Sequence, residues 1–182
     1  MEEKVVNKKA ISIKGMVYCA LFAGLTAVGA YIIVPLPLVP ITLQTTFVLL
    51  SGTLLGGILA AVSQLVYLLM GLIGFPVFSG GRGGLGVLLG PTGGYLLGFI
   101  LAALIVGLMA PKKQASKWSL LVALILGDTV IFACGLLQLM FIAQLSFYKA
   151  LMVGVLPFLP GEALKIALAF IATRLLRSRI NL

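Results

Sequence analysis

The chain has 182 residues, of which 62% are apolar and only 9% are charged, and its formal net charge is +9. A soluble domain is about half apolar and about a quarter charged, and a chain of this length cannot hide so large an apolar share in a water-soluble core. The composition therefore excludes a soluble enzyme, a nucleic-acid-binding domain and a disordered protein, and it predicts an integral membrane protein.

The length is suited to six membrane-spanning helices. One spanning helix needs about 20 apolar residues, so six need about 120 and leave about 62 for ends and loops. The apolar runs are continuous, which is not the alternation of a transmembrane barrel. We therefore predict an all-α bundle of six transmembrane helices, forming a single integral-membrane domain over residues 1–182. The predicted spans are 15–34, 42–55, 58–75, 91–110, 118–143 and 151–176.

Basic residues predict the orientation of the bundle. They concentrate in the segments 1–14 and 111–117 and at the C-terminal end, whereas the predicted outer segments carry only Arg82 and Lys149. Because Lys and Arg accumulate on the cytoplasmic side of membrane proteins, this pattern predicts that both termini are cytoplasmic. The chain is expected to cross the membrane several times.

The first span carries small residues at helical spacing. Ala23 and Ala27 lie four residues apart, and such a stripe lets another helix approach closely. The stripe is explained either by packing inside the chain or by contact with a partner helix. Gly90, Gly94 and Gly98 form a similar stripe in the fourth span.

A glycine-rich loop at 76–90 is predicted on the extracytoplasmic side. Its segment 81–86 matches the pattern GxGxxG, but the pattern follows an apolar helix and has no acidic residue about 20 positions later, so it does not predict a dinucleotide site. No P-loop occurs elsewhere, and no cofactor is expected. The glycines predict a tight, mobile cap that approaches a ligand closely. Arg82 in this loop either captures a carboxylate or is a solvated loop charge.

Three charged residues lie far from the ends of predicted spans, which makes them candidate site residues. An ionised side chain at the centre of a spanning helix costs about 2.5–3.5 kcal/mol. Glu162 and Lys165 are spaced to share one helix face, and they follow Pro157 and Pro160, which should bend or break the helix. We expect this pair to bind a ligand, the alternative being a salt bridge that satisfies itself. Asp128 either faces the same cavity or bonds to a neighbouring helix.

Enzymatic and metal chemistry have little support. The chain contains no His, which excludes His-based triads and HExxH zinc sites. Ser79 has no evident base beside it, so an intramembrane hydrolase is not predicted. Cys19 and Cys134 lie inside apolar runs and make neither a metal motif nor a disulfide framework.

Four segments in order resemble the BioY family. They are PITLQT at 40–45, GFPVFSGG at 74–81, GPTGGY at 90–95 and PFLPGEALK at 157–165. Members of that family are the biotin-specific substrate-binding (S) components of energy-coupling factor (ECF) transporters in bacteria and archaea. The resemblance covers essentially the whole chain. It implies six helices, a biotin site near the extracytoplasmic side capped by loops, and no enzymatic activity. The implied partners are a transmembrane coupling subunit and two ATPase subunits.

The resemblance also assigns roles to residues. The acid–x–x–Lys motif of the family corresponds to Glu162 and Lys165, with Glu standing where the family usually has Asp. Ala23 and Ala27 would contact the coupling subunit. Biotin has two ureido N–H donors, a carboxylate and an apolar ring and chain, which call for carboxylate acceptors, a cation and apolar walls. The expected substrate-binding residues are Gln44, Phe47, Phe78, Ser79, Arg82, Tyr95, Asp128, Glu162 and Lys165.

Two choices stay open at this point. Either Glu162 or Asp128 accepts the ureido N–H groups, and either Lys165 or Arg82 meets the biotin carboxylate. Two other functions also stay open. The chain is alternatively an S component for another vitamin, or a solitary proton-coupled carrier, although no internal repeat supports the carrier.

Overall fold

The structure is a computed structural model that describes residues 12–110 and 116–179. Its helices are α1 (Ile13–Gly29), α2 (Gln44–Leu55), α3 (Gly57–Leu72), α4 (Leu85–Leu88), α5 (Gly93–Met109), α6 (Lys117–Ala143), α7 (Phe147–Gly154) and α8 (Leu159–Leu176). The predicted helical architecture is confirmed, since every predicted span contains at least one of these helices. Predictions for residues 1–11 and 111–115, in the two basic segments, lie outside the described residues.

Two helical stretches of the described chain are long and apolar enough to cross a bilayer. They are Lys117–Ala143 and Phe147–Leu176, the second of which contains both α7 and α8. The helices α1, α2, α3 and α5 are apolar but have 10–17 residues, fewer than the roughly 20 of a straight crossing. The number of crossings therefore stays a prediction.

Glycine and proline end the helices where the sequence predicts breaks. Gly56 separates α2 from α3 with a backbone φ of +83°, a conformation that glycine adopts without a steric penalty. The predicted last span is interrupted by a 3-10 turn at Leu156–Phe158, which contains Pro157, and α8 then starts with Pro160 in its first turn. Proline is tolerated there because the first turn leaves its N–H groups without helical partners. The predicted break in this span is confirmed.

The first span is shorter than predicted. We expected it to reach Val34, but α1 ends at Gly29, and residues 33–34 form the strand β1 (Ile33–Val34), which pairs antiparallel with β2 (Ile41–Thr42). The Leu43 N–H, just after β2, bonds to the carbonyl oxygens of Gly29 and Ile32 at 3.1 and 3.2 Å. Strands of two residues and the one-turn α4 are too short to produce a periodic pattern, so the sequence did not reveal them.

The helix α2 lies at the centre of the bundle. Every residue of α2 except Phe47 is buried, and α2 packs against α1, α3, α5 and α8. Beside it, α5 and α6 approach closely along the predicted glycine stripe, because a Cβ atom at Gly98 would lie 3.0 Å from the Ile131 Cα. The start of α2, at Gln44 and Thr45, is thereby held among the ends of the other helices.

Candidate functional site

A cavity of about 50 Å³ lies at the end of the bundle where α2, α5 and α8 begin. Its polar lining consists of Thr42, Gln44, Thr45, Ser79, Thr92, Glu162 and Lys165. Its aromatic lining consists of Phe78, Tyr95, Phe99, Phe132 and Phe158. A few polar groups facing aromatic walls is the arrangement expected for an amphipathic ligand.

The acidic and basic residues of α8 form one buried pair in the wall of the cavity. The Lys165 Nζ donates to Glu162 Oε1 at 2.6 Å, and the hydroxyl of Thr45 donates to Glu162 Oε2 at 3.0 Å. The predicted shared face of Glu162 and Lys165 is therefore confirmed. An ammonium has three donors, and only one of them has a partner among the described residues. The pair can therefore offer further N–H groups to a ligand.

The position of the pair at the start of α8 also favours the carboxylate. Glu162 lies in the first turn of α8, where the unpaired backbone N–H groups give the helix end a partial positive charge. The 3-10 turn around Pro157 ends α7 before this point and lets a new helix terminus begin inside the bundle. The break predicted from the prolines thus places a polarised helix end at the cavity.

A chain of hydrogen bonds orients the amide of Gln44. The hydroxyl of Thr42 donates to Gln44 Oε1 at 3.0 Å, and Gln44 Nε2 donates to the hydroxyl of Tyr67. The Tyr67 hydroxyl in turn donates to the carbonyl oxygen of Val77 at 3.2 Å. This chain connects the start of α2 to α3 and to the loop that covers the cavity.

The loop between α3 and α4 is a tight cap, as predicted, and it is anchored to α3. The ring of Phe78 is fully buried against Gly71, a position where any Cβ atom would collide with the ring. The Gly84 N–H bonds to the Gly71 carbonyl oxygen at 2.7 Å. The loop holds Ser79 in the cavity wall, with its Oγ buried and without a hydrogen-bond partner among the described residues.

Three aromatic rings form a continuous wall. Phe132 packs edge-to-face on Tyr95 with ring centroids 6.1 Å apart, and on Phe158 with centroids 5.9 Å apart. The Tyr95 hydroxyl donates to the Gly154 carbonyl oxygen at 2.8 Å. That hydroxyl therefore ties α5 to α7, and Tyr95 presents its ring to the cavity.

Asp128 lies behind the cavity wall. Its side chain is buried, it is one helical turn from Phe132 on α6, and it interacts electrostatically with both Glu162 and Lys165. It does not line the cavity, and its Oδ1 has no hydrogen-bond partner among the described residues. Of the two carboxylates considered as ligand acceptors, Glu162 is the one in the wall.

Two predicted ligand residues, Arg82 and Phe47, do not line the cavity, and their roles in ligand binding stay predictions. Arg82 is exposed, and its Nε donates to the Ser79 carbonyl oxygen at 3.0 Å, on the outer side of the loop. Phe47 packs beside Gly29 of α1. Gln44 and Thr45 of α2 line the cavity, and Phe47 does not.

The two alanines of the small-residue stripe on α1 differ in their exposure. Ala23 is 1% exposed and belongs to the core, while Ala27 is half-buried. Burial of Ala23 corrects the prediction that both alanines face a partner helix. The open side of α1 contains Ala20, which is exposed, and Gly24, which has no atom within 4 Å of an added Cβ.

Several residues of the site were missed by sequence reasoning. Thr45 lies inside the 40–45 motif, and Phe158 lies inside the 157–165 motif. Both motifs had been identified from the sequence, although these two residues had not been named as site residues. Phe99 and Phe132 follow Tyr95 and Asp128 by four residues, a spacing that places each pair on one helix face. Helical spacing from the candidate residues was the signal that could have found them.

Comparison with known proteins gives consistent matches over nearly the whole chain. Residues 2–181 match the BioY family. The biotin transporter BioY of Thermotoga maritima is 40% identical, covering 91% of this chain and 98% of the relative. The probable biotin transporter BioY of Pyrococcus horikoshii is 42% identical, covering 84% of this chain and 89% of the relative. A crystal structure of the S-component for biotin from an ECF-type ABC transporter superposes with a TM-score of 0.84 at 27% identity, covering 91% of this chain and 92% of the other.

Proposed function

The chain belongs to the BioY family, and from this premise we propose that it is the S component of an ECF-type transporter and captures biotin in the cavity between α2, α5, α6 and α8. It is a transport component and not an enzyme. The observation that carries the proposal is the buried Glu162–Lys165 pair, which opens into a cavity with aromatic walls. A carboxylate and an ammonium side by side offer the acceptor and the donors that a ureido group needs.

The order of polar groups supports one orientation of biotin. One ureido N–H group donates to the Glu162 carboxylate, and the adjacent ureido oxygen accepts from the free N–H groups of Lys165. The apolar ring then packs against the rings of Tyr95 and Phe132. The carboxylate of biotin extends toward the loop at 76–90, which carries the exposed guanidinium of Arg82.

The distribution of basic residues supports six crossings with both termini in the cytoplasm of a prokaryotic cell. The Arg177 Nη2 bonds to the Ala110 carbonyl oxygen at 3.2 Å, so the C-terminal ends of α5 and α8 lie at the same end of the bundle. Lys117 begins α6 nearby in the chain. Lys149 lies on α7, whose last residue, Gly154, accepts a hydrogen bond from the cavity-lining Tyr95. Under the positive-inside rule, the cavity opens outward.

The partners of this component are a transmembrane coupling subunit and, through it, two ATPase subunits. The sequence has no nucleotide-binding loop, so the energy for transport has to come from another chain. The open side of α1, with Ala20, Gly24 and the half-buried Ala27, is the surface where a partner helix can approach closely. Replacing Gly24 by Trp should abolish copurification with the coupling subunit and leave biotin binding unchanged.

Titration calorimetry on the purified chain, without nucleotide or partners, tests the proposal. We expect saturable binding of biotin and none of thiamine or riboflavin. The opposite result would make the chain an S component for another vitamin. Biotin accumulation in vesicles containing only this chain and a pH gradient would instead identify a solitary proton-coupled carrier.

A further inference from the structure

A groove between α6 and α8 opens on the outside of the bundle, apart from the biotin cavity. Its volume is about 430 Å³. On α6 it is lined by Lys117, Trp118 and Leu121, and on α8 mainly by Ala163, Ala167 and Phe170. It shares no lining residue with the cavity, so the assignment of the biotin site does not account for it.

The packing of α8 explains why the groove stays open. Toward its C-terminal end, α8 is bonded to α2, through the hydroxyls of Thr53 and Thr173, which are 2.7 Å apart. On the side of α8 toward α6, the small side chains of Ala163 and Ala167 leave the space unfilled. The groove thus lies between α6 and small side chains of α8.

Basic groups surround one end of the groove. Lys117 lines it, and Arg174 follows Phe170 by four residues, which places Arg174 on the same face of α8, one turn beyond the lining. Beside Lys117, Trp118 is 76% exposed. Tryptophan and basic side chains together are typical of the level of lipid headgroups.

This end of the groove has no acidic counterpart in the part of the chain that the structure describes. The carboxylates there are Asp128 and Glu162, and both are buried in the interior. Neither lines the groove. The positive charge of Lys117 and Arg174 is therefore available to an external anion.

We propose that this groove binds an anionic glycerophospholipid, with an acyl chain along Leu121 and Ala167 and the phosphate between Lys117 and Arg174. An acyl chain gains little from leaving a bilayer that is already apolar, so the headgroup decides which lipid occupies the site. Each basic side chain near the surface favours an anionic lipid by about fivefold. The inference rests on the proposed placement in a membrane, not on the binding of biotin.

The single tryptophan of the chain provides a direct probe, because Trp118 lines the groove. The protein is reconstituted into phosphatidylcholine vesicles in which a fixed fraction of lipid carries brominated acyl chains, on either phosphatidylglycerol or phosphatidylcholine. Bromine quenches indole fluorescence at short range. We expect brominated phosphatidylglycerol to quench Trp118 more strongly at equal mole fraction, and the difference to shrink at high salt.

Variants that remove positive charges distinguish a lipid site in the groove from a general attraction of the basic protein to anionic lipids. Lys117→Gln with Arg174→Gln should reduce the preference for phosphatidylglycerol by about 25-fold, which is about fivefold for each cation. Lys149→Gln is the control, since it removes one cation from α7, away from the groove, and should leave the preference unchanged. Ala167→Phe keeps both cations but fills the groove, and it should also reduce the preference.

The outcomes separate this inference from the proposed function. Equal quenching by both brominated lipids in the unmodified protein would overturn the lipid site, as would a preference that survives both the double substitution and Ala167→Phe. A protein helix as the occupant would give protection of Trp118 from both lipids. Biotin binding is measured on every variant, and its retention shows that the fold is intact.

Discussion

Polar side chains are buried in two regions of the bundle, and the two regions differ in how their hydrogen bonds are completed. The inner cluster consists of Thr26, Ser51 and Gln64, all fully buried. The Thr26 hydroxyl lies 3.3 Å from Gln64 Oε1, Gln64 Nε2 donates to Ser51 Oγ at 3.2 Å, and Ser51 Oγ donates to the Val48 carbonyl oxygen at 2.7 Å. Each of these three side chains is used within the protein.

The cavity cluster consists of Thr45, Glu162 and Lys165, and it is not closed. The ammonium of Lys165 has donors without partners among the described residues, and the hydroxyl of Ser79 in the facing wall is buried without a partner. Buried polar groups in native proteins are almost always hydrogen-bonded. The difference teaches that a closed polar network stabilises helix packing, whereas an open one beside a cavity is prepared for a ligand.

Substitution of Lys165 should have the largest effect on biotin binding by the cavity cluster. Lys165→Ala deletes the free donors and leaves the Glu162 carboxylate buried without its ion partner, so biotin affinity should fall at least tenfold. Titration calorimetry measures the loss. Lys149→Ala, at an exposed site on α7, is the control, and equal affinity in both variants would return Lys165 to a structural role.

Loss of folding is separated from loss of binding by a charge-free pair. Glu162→Gln combined with Lys165→Met removes both charges together and avoids an isolated buried ion. This double variant should remain folded and still fail to bind biotin. Biotin binding by the double variant would contradict the assigned site.

Removal of the Thr45 hydroxyl, which donates to the Glu162 carboxylate, should have the next largest effect on biotin affinity. Thr45→Val preserves the shape of the side chain but removes the hydrogen bond to Glu162 Oε2. Hydrogen bonds to charged groups contribute about 1.5–3 kcal/mol, and we expect biotin affinity to fall about tenfold. Thr46→Val is the matched control, because the Thr46 hydroxyl is buried without a partner among the described residues; a similar loss there would contradict the role of Thr45.

The inner cluster should respond in stability and not in affinity. Gln64→Leu removes the bonds to Thr26 and Ser51, and a buried hydrogen-bonding group left unsatisfied costs about 1–3 kcal/mol. The midpoint of thermal unfolding in detergent should fall, while the affinity for biotin measured at lower temperature should stay within twofold of the original. A large change in biotin affinity with an unchanged midpoint of thermal unfolding would contradict the structural role of the inner cluster.

A pair of phenylalanines gives the smallest and most selective test. Phe132→Leu removes an aromatic ring from the cavity wall, and such contacts contribute about 0.5–1.5 kcal/mol, so biotin affinity should fall severalfold. Phe47→Leu makes the same change on the face of α2 near Gly29 and should leave affinity unchanged. Both variants are titrated with biotin by calorimetry. A larger loss of affinity in Phe47→Leu than in Phe132→Leu would contradict the placement of Phe132 in the wall of the binding cavity.

The parts of the site that were predictable from sequence are local. Glu162 and Lys165 are three residues apart, so their common face follows from helix geometry alone. The break before them follows from Pro157 and Pro160, because proline lacks an N–H donor and has a fixed φ. Gln44, Ser79 and Tyr95 of the ordered motifs line the cavity, and their contacts with a ligand stay predictions.

The parts that were not predictable depend on how helices rotate against one another. Ala23 and Phe47 had the right chemistry for their expected roles, but the rotation of α1 and α2 turns Ala23 into the core and Phe47 toward Gly29. Arg82 is held on the outside of the loop by burial of Phe78. One apolar spacing is compatible with several rotations, because the spanning helices of this chain are apolar on nearly every face.

By itself, the sequence determined the membrane class, the helical composition, the family and the acid–base pair on α8, since each depends on composition or on residues close in the chain. Only the tertiary structure decided that Thr45 supports Glu162 from 117 residues away, that Asp128 lies behind the wall, and that α6 and α8 leave a groove. The physical reason is that such contacts are made when helices pack, and their geometry is set by side-chain volumes on several helices at once.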